Sequence, residues 1–157
     1  LGAGVAQALG AAVALPGREV VCIIGDGAMG FHPQEIETAV RNNLRVIYLV
    51  LCDKAWGMVK ISQSFTLDPD RTLLLKSLPP NENIGTDLGE IEFDKLAMAM
   101  GAHGERVSDP KDLKGALERC RSSGRCAVIH VDVNPVTHMW APGLMQFKDM
   151  HHEPEGK

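Results

Sequence analysis

The sequence has no apolar run approaching the ~20 residues that a helix needs to cross a bilayer, and no basic-then-apolar leader precedes its first glycine. As written, then, it offers neither a membrane-spanning helix nor a secretory start, and a soluble chain is expected. It also lacks a run of charge of either sign: sixteen basic and twenty acidic residues are interspersed, for a net charge of -4. That leaves no electrostatic footprint for nucleic acid or an anionic membrane, so a small-molecule or self-associating partner is expected. The four cysteines, Cys22, Cys52, Cys120 and Cys126, show no CxxC spacing, and Cys22 and Cys52 sit inside apolar runs where a thiol behaves as a small hydrophobe. They read as reduced, which points to the cytoplasm. There is no internal repeat and no low-complexity tract. The opening LGAGVAQALGAA has neither an initiator Met nor a polar lead-in, giving the expectation that residues 1–157 are one domain of a larger protein.

What is present is an alternation of buried-strand and amphipathic-helix patterns. A chain of 157 residues is about one domain, able to bury roughly two thirds of its unfolded surface. Val5 to Leu15 is alanine-rich and stops at Pro16-Gly17, which suits a closely packed helix. EVVCII and RVIYLVL are continuous apolar runs of strand length, and GERV and CAVIHVDV supply two more strands. Ile36, Ala39 and Val40 fall on one helical face after Pro33, a residue suited to a first helical position, and the Asn42-Asn43 pair ends that pattern. Phe93, Leu96, Ala97 and Met100 repeat at helical spacing, as do Leu113, Ala116, Leu117 and Cys120 after the start signal Ser108-Asp109-Pro110. Strands buried on both faces and alternating with such helices imply an α/β, Rossmann-like three-layer sandwich with a mostly parallel sheet. Residues 64–92 and 134–157 fall outside this rhythm and read as long functional or disordered segments, the second as a tail or flap.

In open parallel sheets ligands bind beyond the carboxyl ends of the strands, and two acids, Asp26 and Asp53, each end an apolar run there. The Gly25-Asp26-Gly27 turn allows close backbone approach, and unpaired N-H groups of a helix start would suit phosphate. Carboxylates suit a hard cation, and Mg2+ takes one or two of them together with phosphate oxygens and water. Taken alone, GDG is equally a structural turn; a second acid after a whole helix and strand favours a magnesium diphosphate.

The stretch GDGAMGFHPQEIETAVRNNLRVIYLVLCDKAWGMV resembles the signature of thiamine diphosphate enzymes of the acetolactate synthase and pyruvate decarboxylase type, which runs GDG, helix, strand, asparagine pair. The likeness continues through FDKLAMAMGAHGERV, DPKDLKGALE and VIHVDVNP, nearly the whole chain. It implies the diphosphate-binding domain of an enzyme acting on 2-oxo acids with thiamine diphosphate and Mg2+, completed by a pyrimidine-binding domain that carries a catalytic glutamate, in a homo-oligomer. Carried over by position, the metal ligands would be Asp26, Asp53 and the carbonyl of Ala55. The turn at Gly25, with the N-H groups of Gly27 and Ala28, would meet the diphosphate. Leu1 would lie beneath the bent cofactor and Met58 would line the substrate pocket. Two positions depart from the pattern: Cys52-Asp53 replaces the asparagine pair, and Ile61-Ser62 stands where acetolactate synthases carry Gln-Trp. Decarboxylase, carboligase and acyl-CoA lyase chemistry therefore remain open. So does a noncatalytic nucleotide-binding or assembly module, because GDGAMG is also G-x-G-x-x-G in letters.

Trp56 adjoins the second acid and reads either as a cofactor neighbour or as a packed loop closure. His32 stands near the expected phosphate. His130 and Asp132 share one strand face in the alternation expected of a half-exposed strand, and no chemistry is assigned to them. His138, Trp140, His151 and His152 fall in the tail without the regular spacing of a metal site.

Overall fold

The computed structural model describes residues 1–67, 70, 72, 74 and 84–135. The chain divides into a sheet unit, residues 1–55 and 88–133, and a second unit, residues 56–87 and 134–157. In the sheet unit the order is α1 (Ala3–Ala14), β1 (Val20–Gly25), α2 (Asp26–Met29), α3 (Glu35–Arg41), β2 (Val46–Cys52), then, past the second unit's α4 (Gly57–Leu67), α5 (Phe93–Ala99), β3 (His103–Val107), α6 (Leu113–Ser123) and β4 (Ala127–Asp132).

Among the described residues four strands form one parallel sheet in the order β1-β2-β4-β3. The chain moves in one direction across the sheet from β1 to β3 and turns back to place β4 between β2 and β3. Right-handed crossovers then put the last helix on the opposite face. Accordingly α1, α3 and α5 bury Val5, Leu9, Ile36, Ala39, Phe93 and Ala97 in one core cluster, while α6 closes a second cluster with Ala116 and Cys120. This is the Rossmann-like sandwich.

Local chemistry sets the helix ends. Val5, Ala8, Leu9 and Ala12 are the buried stripe of α1. Asn43 closes α3 in the left-handed region at φ 53, the conformation in which asparagine replaces glycine at helix stops. Asp109 accepts from the Lys111 N-H at 3.0 Å and Pro110 opens the turn into α6, as the start signal predicts.

Three expectations need correction. β2 is buried on both faces except at Leu51, but β1, with the same hydropathy, is an edge strand whose Val21 and Ile23 are exposed, Ile23 at 69%. Helix formation begins at Asp26 as the short α2, breaks, and resumes at Glu35, so Pro33 lies in the intervening turn. Residues 64–67, read as loop, belong to α4. Beyond Pro135 the tail, with His138, Trp140, His151 and His152, lies outside the described residues.

Candidate functional site

The parallel register brings the two acids to one edge. Gly25 pairs with Leu51, and Cys52 with Asp132, so β1, β2 and β4 end level and Asp26 and Asp53 follow directly from the first two. Asp26 is 8% exposed. Its Oδ1 accepts the Gly27 N-H at 2.7 Å and its Oδ2 accepts the Lys54 N-H at 2.8 Å. Lys54 makes that bond from the left-handed region, φ 60, a conformation costly for a residue with a side chain. Asp53 Oδ1 accepts the Ala55 N-H at 3.1 Å, tightening the same turn.

Burial raises the pKa of Asp26 above the usual carboxylate range, the Lys54 and Gly27 N-H groups oppose that shift, and the nearby Asp53 carboxylate adds to it. Two acids that repel each other at the end of a sheet are a fitting pair for a cation that neutralises both. Gly25 supports the same reading. Its backbone is ordinary and extended, at φ -77 and ψ 157, and a Cβ built there meets no atom within 4 Å. The chain's own packing does not demand glycine at that position, whereas an incoming ligand would use the space. Among the described residues no group of three or more His, Cys, Asp or Glu side chains is arranged to hold a metal. Two carboxylates are hard oxygen donors, the kind that suits Mg2+ rather than zinc.

The other expected site residues divide. Gly27 and Ala28 lie in α2, next to Asp26, but the Gly27 N-H is given to Asp26, so offering it to a phosphate requires an exchange of partners. Leu1 is 88% exposed and precedes Gly2, whose position against Phe31 puts the start of α1 beside the turn that follows α2. Ala55 is buried at the end of the sheet unit. Met58 lies in the first turn of α4, in the second unit, and is 51% exposed. Trp56, in that unit, donates its N-H to the Thr86 carbonyl at 2.8 Å. His32 is exposed.

Sequence reasoning missed the polar network behind the turn. His130 is 1% exposed rather than on a half-exposed face, because β4 is a central strand covered by helices on both sides. Its Nδ1 lies 3.5 Å from Cys52 Sγ and its Nε2 3.2 Å from Asp132 Oδ1. A Cys-His-Asp chain has the look of a nucleophile, yet burial pushes the Cys52 thiol up to about 12, so the thiolate that such chemistry needs is absent near neutrality. Arg106 grips Asp132, and Glu90 joins Arg106 to Lys54. No local pattern marks these partners, since they come from separate strands and a loop.

Comparison with known proteins bears on most of the chain. Residues 1–131 match the family described as "Thiamine pyrophosphate enzyme, C-terminal TPP binding domain". The acetolactate synthase large subunit IlvG of Mycobacterium tuberculosis is 38% identical over 135 residues, 86% of this chain and 22% of that protein. A 2-hydroxyacyl-CoA lyase of Arabidopsis thaliana is 33% identical over 141 residues, 86% of this chain and 22% of that protein. Among solved structures, the thiamine diphosphate-dependent 4-hydroxybenzoylformate decarboxylase of Rhodococcus jostii RHA1 superimposes with a TM-score of 0.71 at 26% identity, covering 85% of this chain and 23% of that one. The chain thus spans under a quarter of the length of these relatives.

Proposed function

The chain belongs to the thiamine pyrophosphate enzyme family, matching its C-terminal TPP binding domain, and from that premise we propose that it holds Mg2+ and the diphosphate of thiamine diphosphate in an enzyme that cleaves or forms carbon-carbon bonds of 2-oxo acids. The observation that carries this reading is the convergence of Asp26 and Asp53 at the carboxyl edge of the sheet. Asp26, Asp53 and the Ala55 carbonyl bind the metal. The Gly25 turn leaves room for the diphosphate, and Gly27 and Ala28 donate N-H groups to it. Leu1 supports the cofactor from beneath, and Met58 is assigned to the substrate side by the family pattern. When bound, thiamine diphosphate supplies a carbon nucleophile and an electron sink at the substrate carbonyl. The residues here bind and orient; the proton-transferring glutamate belongs to a pyrimidine-binding domain outside residues 1–157, and the working enzyme is a cytoplasmic homo-oligomer.

The reading is tested on the full-length protein with thiamine diphosphate, Mg2+ and a panel of 2-oxo acids and 2-hydroxyacyl-CoA thioesters, following carbon dioxide release and products by mass spectrometry. Cofactor-dependent turnover of a 2-oxo acid is expected. Turnover of the thioesters alone would move the assignment to a lyase. Binding of nucleoside diphosphates with no affinity for thiamine diphosphate would overturn it in favour of a noncatalytic nucleotide module.

A further inference from the structure

Both sequence neighbours of Asp53 are anchored to the same guanidinium. On one side, Lys54 Nζ lies 2.8 Å from Glu90 Oε2, and Glu90 Oε1 lies 2.8 Å from Arg106 Nη2. On the other, Cys52 meets His130, His130 meets Asp132, and Asp132 accepts from Arg106 Nε at 3.1 Å and Nη2 at 2.8 Å. Ser108 Oγ also donates to Asp132. Two main-chain bonds reinforce the arrangement: the Val133 N-H reaches the Cys52 carbonyl at 3.0 Å and the Leu88 N-H reaches the Lys54 carbonyl at 2.8 Å.

Half-exposed ion pairs contribute little to stability one at a time, so the position of this network is its informative feature. It flanks the turn at Lys54, which sits at φ 60 and whose N-H fixes Asp26. Backbone in that region persists only where the surroundings over-determine it. We propose that Arg106 is a positioning residue for the cation site. By linking Glu90 to Asp132 it holds the Cys52-Asp53-Lys54 turn in the one conformation that presents Asp53, and the Lys54 N-H, to Asp26. A small ion demanding near-ideal octahedral geometry is sensitive to such a turn, and partners behind metal ligands commonly matter about 10–100-fold in affinity. This rests on the reading of Asp26 and Asp53 as Mg2+ ligands.

The test is a calorimetric titration of Mg2+ into the full-length protein at saturating thiamine diphosphate, for the parent, Arg106→Gln, Arg106→Lys, Glu90→Gln and, as reference, Asp26→Asn. Arg106→Gln is expected to weaken Mg2+ binding about tenfold. Arg106→Lys should restore only part of the loss, because an ammonium cannot grip Asp132 with two N-H groups in a fork. Glu90→Gln, which leaves the Arg106-Asp132 pair in place, should weaken Mg2+ less than Arg106→Gln while leaving the thermal midpoint of the apoprotein unchanged, a separation that a purely structural role does not produce. If Arg106→Gln does not fold, Glu90→Gln decides by itself. Parent-like Mg2+ affinity in the Arg106 and Glu90 variants, with binding lost in Asp26→Asn, overturns the positioning role and leaves the metal site standing. Parent-like affinity in Asp26→Asn overturns the metal site and the positioning role with it.

Discussion

At the scale of single residues, the site is built by main-chain bonds to carboxylates, and small residues make the close approaches possible. Gly2 shows the dependence most plainly. It caps α1 at φ 80, and a Cβ there would stand 2.8 Å from Phe31 Cβ, so Gly2→Ala combines a left-handed backbone penalty with a clash. The expected loss is about 2 kcal/mol in urea melts of the folded protein. The thiols give a second residue-level expectation. Burial pushes Cys120 up to about 11 and Cys52 and Cys126 to about 12. Alkylation of these three at neutral pH should therefore be slow in the native protein and fast once it is denatured, as followed by mass spectrometry; rapid native labelling of any of them would contradict the packing described. The placement of Asp26 and Asp53 at the ends of β1 and β2 was legible from sequence because each ends an apolar run. Arg106 and Glu90 were not, because an ion pair across separate elements leaves no mark at either position.

At the scale of elements, β1 and β2 show what hydropathy reports and what it leaves out. Both runs are continuous and apolar, and both form parallel strands, yet Val21 and Ile23 of β1 lie beside Ile47 and Leu49 on the face that α6 covers, and α6 packs against β3 and β4. The pattern records the kind of surface a strand carries; place in the sheet is decided by the other strands. Since Ile23 is 69% exposed, Ile23→Lys should change stability by no more than about 0.5 kcal/mol and should improve solubility, measured by denaturant melts and light scattering. The seat of α5 on β3 is the opposite case. A Cβ at Gly104 would run into the Asp94 carbonyl, which is backbone and cannot swing aside. Gly104→Ala should therefore cost about 1–3 kcal/mol and selectively raise amide exchange in α5. Helix α6 was the most legible element, because its cap, its Pro and its apolar stripe all agree. The break at residues 30–34 was the least, because Pro33 suits a helix start and a turn alike.

At the scale of the whole molecule, the carboxyl edge of the sheet concentrates charge that is not balanced within the Asp26-Asp53 pair and is balanced behind it. Arg106, followed by Ser108 and His130, holds the Asp132 carboxyl well below its usual range despite the opposing effect of burial. Glu90, held at about 2 by hydrogen bonds from Lys54 and Arg106, is exposed, so solvent screening leaves it little weight in stability and the acid response rests on Asp132. A folded-state pKa depressed below the unfolded value contributes stability above the unfolded pKa and loses it as pH falls toward the folded one. Stability of the sheet unit is therefore expected to fall progressively below about pH 4, the ordinary carboxylate range. Asp132→Asn should flatten that acid limb in thermal melts taken as a function of pH; an unchanged limb would mean that the network does not couple to folding.

Everything proposed for the site depends on Asp26 and Asp53 together holding a divalent cation. Electron paramagnetic resonance of Mn2+, used in place of Mg2+, reads that binding directly on the full-length protein in the presence of thiamine diphosphate. One tightly bound Mn2+ per chain is expected in the parent, with loss of that signal in Asp26→Asn and weakened but detectable binding in Asp53→Asn, where an amide oxygen remains as a ligand without the charge. Mn2+ bound equally well by the parent and by both variants would contradict that expectation.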